Sequence, residues 1–381
     1  MKNASLATAK REKNDEFYTI YHSIEKEMNA YLEFNPDVFR NKVVLLPCDD
    51  PEWSNFTKYF AQNFSRFGLK KLISTSYSID SKKHTSDYQP SLFETSDPSY
   101  DEVKAIKNGK IFELGYDKTG DGKIDIQDLE WKYLEGNGDF KSKEITNLRD
   151  QSDIIITNPP FSLFREFVEW VFDANKLFSV VGSMSAANYK EIFPLVQNDK
   201  LWLGATANGS DMVFSVPEGA VVKEKDKEKA EKLGYIGNYT RLGNSCWFTN
   251  IDHGRRHQPI PLMTQKDVVK FGLKKPFEKY VNYDAIEVPK VKFIPSDYAG
   301  VMGVPVSFLA KHNPNQFEIV GMCENENLYD LKSRVFTREE CKQAYLAKFG
   351  KKGSYDLNSN GVVERDGLLV KVFQRILINH K

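Results

Sequence analysis

The stretch Asp153–Trp170, DIIITNPPFSLFREFVEW, decides how this chain is read. Ile154–Ile156 is a short apolar run of the kind a buried strand needs, and helical spacing follows over Leu163–Asn175. Between them stand Asn158, Pro159, Pro160 and Phe161. Neither proline has an N–H to give to a ladder, so the strand has to end there. Strand, stiff turn and helix make the repeating unit of an α/β sheet.

The same unit recurs on either side. NKVVLLPCDD predicts a buried strand over Val43–Leu46, ending at Pro47, Cys48, Asp49 and Asp50. The spacing of Trp53, Phe56, Phe60 and Phe64 predicts a helix after it, and KKLISTSY a second strand. Further on, a helix is expected near Lys141–Arg149, a strand over Leu177–Val181 and a helix over Ala186–Val196, with short strands in DKLWLGA, GSDMVFSV and NSCWFTNI. This order predicts a mostly parallel sheet with helices on both faces. Residues 80–137 interrupt the rhythm with a polar, turn-rich segment read as an inserted hairpin. The tail reads as a hairpin turning at Asn360-Gly361. Trp202, Tyr189 and Trp247 are expected in the core.

With 381 residues, 40% of them hydrophobic, the chain can bury a large core. No apolar run is long enough to span a bilayer, and the first residues lack a signal-peptide core. Cys48, Cys246, Cys323 and Cys341 show no Cys-x-x-Cys spacing, which fits a reducing cytoplasm and offers no zinc site. Lys+Arg and Asp+Glu balance at 53 each, so any affinity for nucleic acid must come from a local basic face. Candidate clusters are Lys10–Lys13, His253–His257 with Arg255 and Arg256, Lys270–Lys279 and Ala347–Ser354. Asp117–Asp128 has acidic residues at calcium-loop spacing, but a strand-like run precedes it and Asp replaces the usual final Glu. A hairpin turn is the favoured reading there, and no metal is expected.

In an open α/β sheet, ligands bind beyond the carboxyl ends of the strands. Both Asp49-Asp50 and Asn158–Phe161 fall at such ends. The Asn158 side-chain oxygen and the Pro159 carbonyl are uncharged acceptors, and Phe161 gives a flat apolar face. This combination suits a planar molecule with an exocyclic NH₂. Hydrogen bonds from that NH₂ pull its nitrogen out of conjugation and free its lone pair for attack on an electrophilic methyl.

An Asn-Pro-Pro-Phe loop after a strand resembles the signature of amino-group methyltransferases that use S-adenosylmethionine. NDEFYTIYHSIEKE, VVLLPCDDPEWSNFTKYFAQNF, GNGDF, TNPPFSLFREF, LWLG, CWFTNID and GVMGVPVSFLAKHNPNQFE together resemble the EcoRI-type adenine-specific DNA methyltransferase family, from Asn14 to about Gly321. The resemblance implies a Rossmann-like S-adenosylmethionine-dependent methyltransferase fold. Residues 1–205 would form the cofactor-binding and catalytic domain, and 206–381 a target-recognition and C-terminal region. It implies that Asn158, Pro159, Pro160 and Phe161 hold the target adenine. Phe17, Tyr18 and Thr19 would lie near the methionine end of the cofactor, Pro47, Cys48, Asp49 and Asp50 at the first cofactor motif, and Asp139 and Phe140 near its adenine ring.

Two departures stand out. LPCDDPEW replaces the usual Gly-x-Gly, and no acid ends LISTSY where a ribose-binding carboxylate is common. The implied function is site-specific adenine-N6 methylation of flipped-out adenines in double-stranded DNA by a monomeric cytoplasmic enzyme linked to restriction-modification. RNA or protein-glutamine methylation is the nearest alternative, and a silent DNA-binding protein the next.

Overall fold

The computed structural model describes residues 17–49, 54–78, 95, 98–206, 212–216, 218 and 222–381. Asp50 and Trp53 lie outside the described residues. Two compact units are present. One runs up to Phe193 and resumes over Leu201–Gly254; the other comprises Pro194–Lys200 and Arg255–Lys381. Residues 206–254, grouped by the sequence with the C-terminal region, thus fall in the first unit.

The first unit is built on an eight-stranded mixed sheet of order β5-β4-β3-β2-β6-β7-β11-β8. Its middle is parallel. Strand β2 (Val43–Pro47) lies between β3 (Lys71–Thr75) and β6 (Ile154–Thr157), and β6 pairs in parallel with β7 (Leu177–Ser183). β2 and β6 are apolar over most of their length because both faces are covered, and Val44, Leu45, Leu46 and Ile154–Ile156 are fully buried.

The flanks are antiparallel. β4 (Lys110–Leu114) pairs with β3 and with β5 (Glu130–Tyr133), while β11 (Ser245–Thr249) joins β7 to β8 (Trp202–Leu203). The sheet is therefore mixed rather than mostly parallel. A polar connection with a 3₁₀ turn at Ile126–Asp128, not a crossover helix, joins β4 to β5, and the chain returns antiparallel.

Helices fill the connections: α1 (Tyr21–Phe34), α2 (Asn55–Gln62), α3 (Lys143–Gln151) and α4 (Phe164–Asp173). The Ser54 hydroxyl accepts from Phe56 N to start α2, and Ser142 does the same for α3 from Ile145 N. The helix expected over Ala186–Val196 is instead a 3₁₀ turn, Met184–Asn188, and a short helix, Phe193–Gln197. Pro194 has no N–H to continue a helix arriving from its N-terminal side. A three-stranded sheet places β1 (Tyr18–Thr19) against β9 (Val213–Ser215), which also pairs with β10 (Tyr239–Arg241).

The second unit holds a five-stranded sheet of order β12-β13-β14-β18-β15. These strands are Glu278–Lys279, Ala285–Glu287, Val301–Pro305, Arg375–His380 and Phe317–Met322. The unit also holds helix α5 (Arg338–Phe349) and the hairpin β16 (Val362–Arg365) and β17 (Leu368–Lys371). That hairpin turns at Asp366-Gly367, with φ of 52° and 75°, not at Asn360-Gly361. Asn360 is held outside the turn, its Nδ2 donating to Val372 O. Asp-Gly supplies the two positive φ angles that a two-residue turn needs.

Candidate active site

Parallel pairing of β2 and β6 brings the two sequence-predicted strand ends side by side. The Thr157 hydroxyl donates to Pro47 O at 3.0 Å and ties them together. Beyond that tie, the chain enters the Asn158–Phe161 loop on one strand and Cys48-Asp49 on the other.

Asn158 is held at one end and open at the other. Its Nδ2 donates to Phe17 O at 2.5 Å, which fixes the amide with its oxygen turned away from Phe17. That Oδ1 is buried and has no hydrogen-bond partner. A buried unpaired acceptor costs free energy, roughly 1–3 kcal/mol, unless something else satisfies it. Phe161 is half-buried. It stacks on Phe17 at 6.0 Å between centroids and 24° between planes, with Phe214 edge-on at 6.3 Å. The fully buried Phe214 also meets Phe17 edge-on. Phe17, Phe161 and Phe214 thus converge from three distant segments. Pairing of β1 with β9 accomplishes this by placing Thr19 opposite Phe214. The Thr19 hydroxyl is a second buried oxygen without a partner, while Thr19 O accepts from Asn55 Nδ2.

On the β2 side, Asp49 turns inward. Its carboxylate accepts from Thr57 Oγ1 at 2.6 Å and more weakly from Ser74 Oγ, and its N–H donates to Thr75 O. Cys48 has φ of 70°, the left-handed backbone that glycine would supply in a Gly-x-Gly turn. The sequence departs from that motif, but the backbone bend is present. Burial, with the Asp139 and Asp49 charges beside it, pushes the Cys48 thiol well above its usual range.

Asp139 stands where β3 runs out. It lies beside Tyr77, and burial together with the Asp139 charge raises the Tyr77 phenol. A carboxylate from a different segment thus stands near the end of LISTSY. Gly138 makes this approach possible: its φ is 83°, and a Cβ there would lie 2.1 Å from Ser76 O. Phe140 is fully buried between Phe167 and Trp170, at 5.1 and 5.5 Å. Its ring anchors the Gly138–Phe140 turn to α4.

The remaining candidates have partners of their own. Arg256 pairs with Asp199 at 2.5 Å, with 11% of its side chain exposed. At Asp117–Asp128 the carboxylates face backbone N–H groups. Asp128 accepts from Lys118, Thr119 and Asp125, and Asp117 from Gly120 and Gly122. Those bonds hold the Asp128 carboxyl below its usual range. Among the described residues no cluster of His, Cys, Asp and Glu could hold a metal ion. Trp247 is core, but Tyr189 is 40% exposed, with Arg165 over its ring at 5.4 Å.

The residues that sequence reading missed are Phe214, Thr57, Ser74 and Tyr77. Only MVFSV, an apolar run near the LWLG block, gave a signal for Phe214, and nothing in it said which ring it would meet.

A mixed α/β sheet with this loop at a parallel strand end is the setting of a methyltransferase, and comparison with known proteins supplies the family. The family described as Adenine-specific methyltransferase EcoRI matches residues 5–381, and the chain belongs to it. Type II methyltransferase M.EcoRI of Escherichia coli is 40% identical over 319 residues, covering 84% of this chain and 89% of that protein. Type II methyltransferase M.MpnI of Mycoplasma pneumoniae is 35% identical over 333 residues, 87% of this chain and 90% of its own. Type II methyltransferase M.MgeORF184P of Mycoplasma genitalium is 33% identical over the same length. No solved structure matches the chain significantly.

Proposed function

We propose that the protein is an S-adenosylmethionine-dependent DNA adenine-N6 methyltransferase on a Rossmann-like sheet, working in a restriction-modification setting. One observation carries the reading: Asn158 is clamped through Nδ2 to Phe17 O, and its buried Oδ1 lacks a partner. An adenine amino group is the donor this oxygen needs. The Pro159 carbonyl would take the second hydrogen, so the amine nitrogen loses conjugation with the ring and its lone pair turns outward. Phe161 would stack on the base through the face that Phe17 leaves open. An adenine paired inside a duplex cannot reach this loop, so it has to be flipped out, at a cost of a few kcal/mol.

The strand ends also fit the cofactor. Asp139, half-buried beside the Tyr77 hydroxyl, suits ribose hydroxyls or an adenine amine. The left-handed turn at Cys48 and the partnerless Thr19 hydroxyl line the same edge. S-adenosylmethionine, when bound, supplies an electrophilic methyl group. The chain's contribution is to orient the amine and exclude water. Asp49, committed to Thr57 and Ser74, acts as a positioning residue for the turn. Target recognition would fall to the region after residue 206. No helix among the described residues is long and apolar enough to cross a membrane.

The test is methyl transfer from labelled S-adenosylmethionine to unmethylated duplex DNA, followed by nucleoside digestion. Label is expected in N6-methyldeoxyadenosine. Label appearing in RNA or in protein glutamine, with none in DNA, would overturn the reading.

A further inference from the structure

A balanced chain needs a local cationic face to hold DNA, and the structure sorts the basic clusters read from the sequence. Lys10–Lys13 lies outside the described residues. In the His253–His257 cluster, Arg256 is neutralised by Asp199. Lys348, Lys351 and Lys352 stand at or just past the last turn of α5, where a helix favours cations for its own stability. The Lys270–Lys279 cluster differs, because the fold enlarges it.

Val268–Leu273 forms a π-helix, a rare element that often marks functional sites. It packs on the turn Val291–Phe293 through Gly272, where a Cβ would lie 2.5 Å from the Phe293 ring. Lys290 and Lys292 stand over that same ring, at 5.9 and 5.2 Å from its centroid. Lys270 lies 4.8 Å from the centre of Phe271, which is 64% exposed. Lys274 Nζ caps the π-helix at Lys270 O. Two segments separated in sequence thus meet at Phe293, and each brings exposed lysines that stand over an aromatic ring.

No carboxylate among the described residues pairs with Lys270, Lys290 or Lys292. The nearest acids in sequence are engaged elsewhere: Asp267 accepts from Thr264 Oγ1, and Asp297 from Gln265 N. Glu287 is buried on Arg375, and Glu278 pairs with Arg365 and Lys275. Exposed ammonium groups without a paired carboxylate keep their full charge for a polyanion. Lysine binds phosphate as a mobile point charge, which suits a backbone contact that carries no sequence information.

We propose that Lys270, Lys290 and Lys292 form a phosphate-contacting face that grips the backbone of duplex DNA. This inference rests on the DNA-methyltransferase reading. The experiment is a salt titration of duplex binding, followed by fluorescence anisotropy, for the full chain and for the Lys270→Gln, Lys290→Gln, Lys292→Gln triple variant. Each phosphate contact contributes about 0.9 to the slope of log affinity against log salt. The triple variant is expected to lose about 2 to 3 from that slope, and at least about tenfold in affinity at low salt, with an unchanged thermal midpoint. An unaltered slope and affinity, with the parent chain binding and methylating DNA, would overturn this inference alone. A parent chain that binds no duplex would overturn both readings. Loss of binding to anionic vesicles, with duplex binding intact, would reassign the face to a membrane and overturn the DNA proposal.

Discussion

Two regions of the molecule, the Glu287–Arg375 pair and the Asn158 loop, treat buried polar groups in opposite ways. In the second unit Glu287 and Arg375, 3% and 8% exposed, pair through two guanidinium nitrogens. Tyr280 donates to the same carboxylate, and Arg375 also donates to the carbonyls of Phe373 and Gln374. The network closes on itself. At the strand ends of the first unit, Asn158 Oδ1 and Thr19 Oγ1 are buried with no partner. A closed network holds a fold together. An open one reserves its capacity for a molecule that arrives later.

Mutation should break this contrast most visibly in the closed network. Glu287→Ala leaves the Arg375 charge buried and unpaired, and should cost about 3–5 kcal/mol in denaturant unfolding. Asn158→Ala removes a group bonded at one end only, and should cost about 1 kcal/mol. Equal losses would erase the distinction between the two regions.

Phe161→Ala sharpens the comparison within the site. Stacking is worth roughly 1–3 kcal/mol per base, so methylation should fall about 5- to 150-fold. A target adenine opposite a mismatch is easier to unpair, and should restore part of that loss. Rescue should be absent for Asn158→Ala, whose proposed role is at the amine itself.

Smaller effects are expected at Cys48. Glycine accepts φ of 70° without strain, so Cys48→Gly should stay within about 1 kcal/mol of the parent, whereas Cys48→Val should be clearly worse. The raised thiol keeps its proton at neutral and mildly alkaline pH. Alkylation of native protein should therefore be slow at pH 8 and accelerate only as pH climbs further, because the thiolate is the reactive form. Fast alkylation at pH 8 would show that the Cys48 turn opens readily. Least of all, calcium should leave the thermal midpoint unchanged, because the Asp117 and Asp128 carboxylates already serve backbone N–H groups.

Much of the candidate site's strand edge was legible in the sequence because it is local. Ile154–Thr157 and Val43–Pro47 announce themselves as apolar runs, and two prolines mark where one of them stops. That the two lie side by side is a finding of the fold, from the parallel pairing of β2 with β6. Other features depend on encounters between distant segments. Phe214 joins Phe17 and Phe161 through a two-residue pairing of β1 with β9, too short to leave a pattern. Asp139 reaches Tyr77 only because Gly138 lets two backbones touch. Tyr189 read as core from its apolar character, yet it follows a 3₁₀ turn and half emerges beneath Arg165. The tail offered two Asn-Gly or Asp-Gly turns, and the equal strands around Asp366-Gly367 decided between them.

The central claim is that Asn158 binds the reacting amine while other groups hold the cofactor. It is tested most directly by measuring S-adenosylmethionine affinity by calorimetry, and methyl transfer to duplex DNA, on the same preparation of Asn158→Ala. The account predicts cofactor affinity like that of the parent chain and a methylation rate lower by about 10²- to 10³-fold or more, the scale set by removing one preorganised transition-state hydrogen bond. An Asn158→Ala protein that methylates adenine at the parent rate would contradict it.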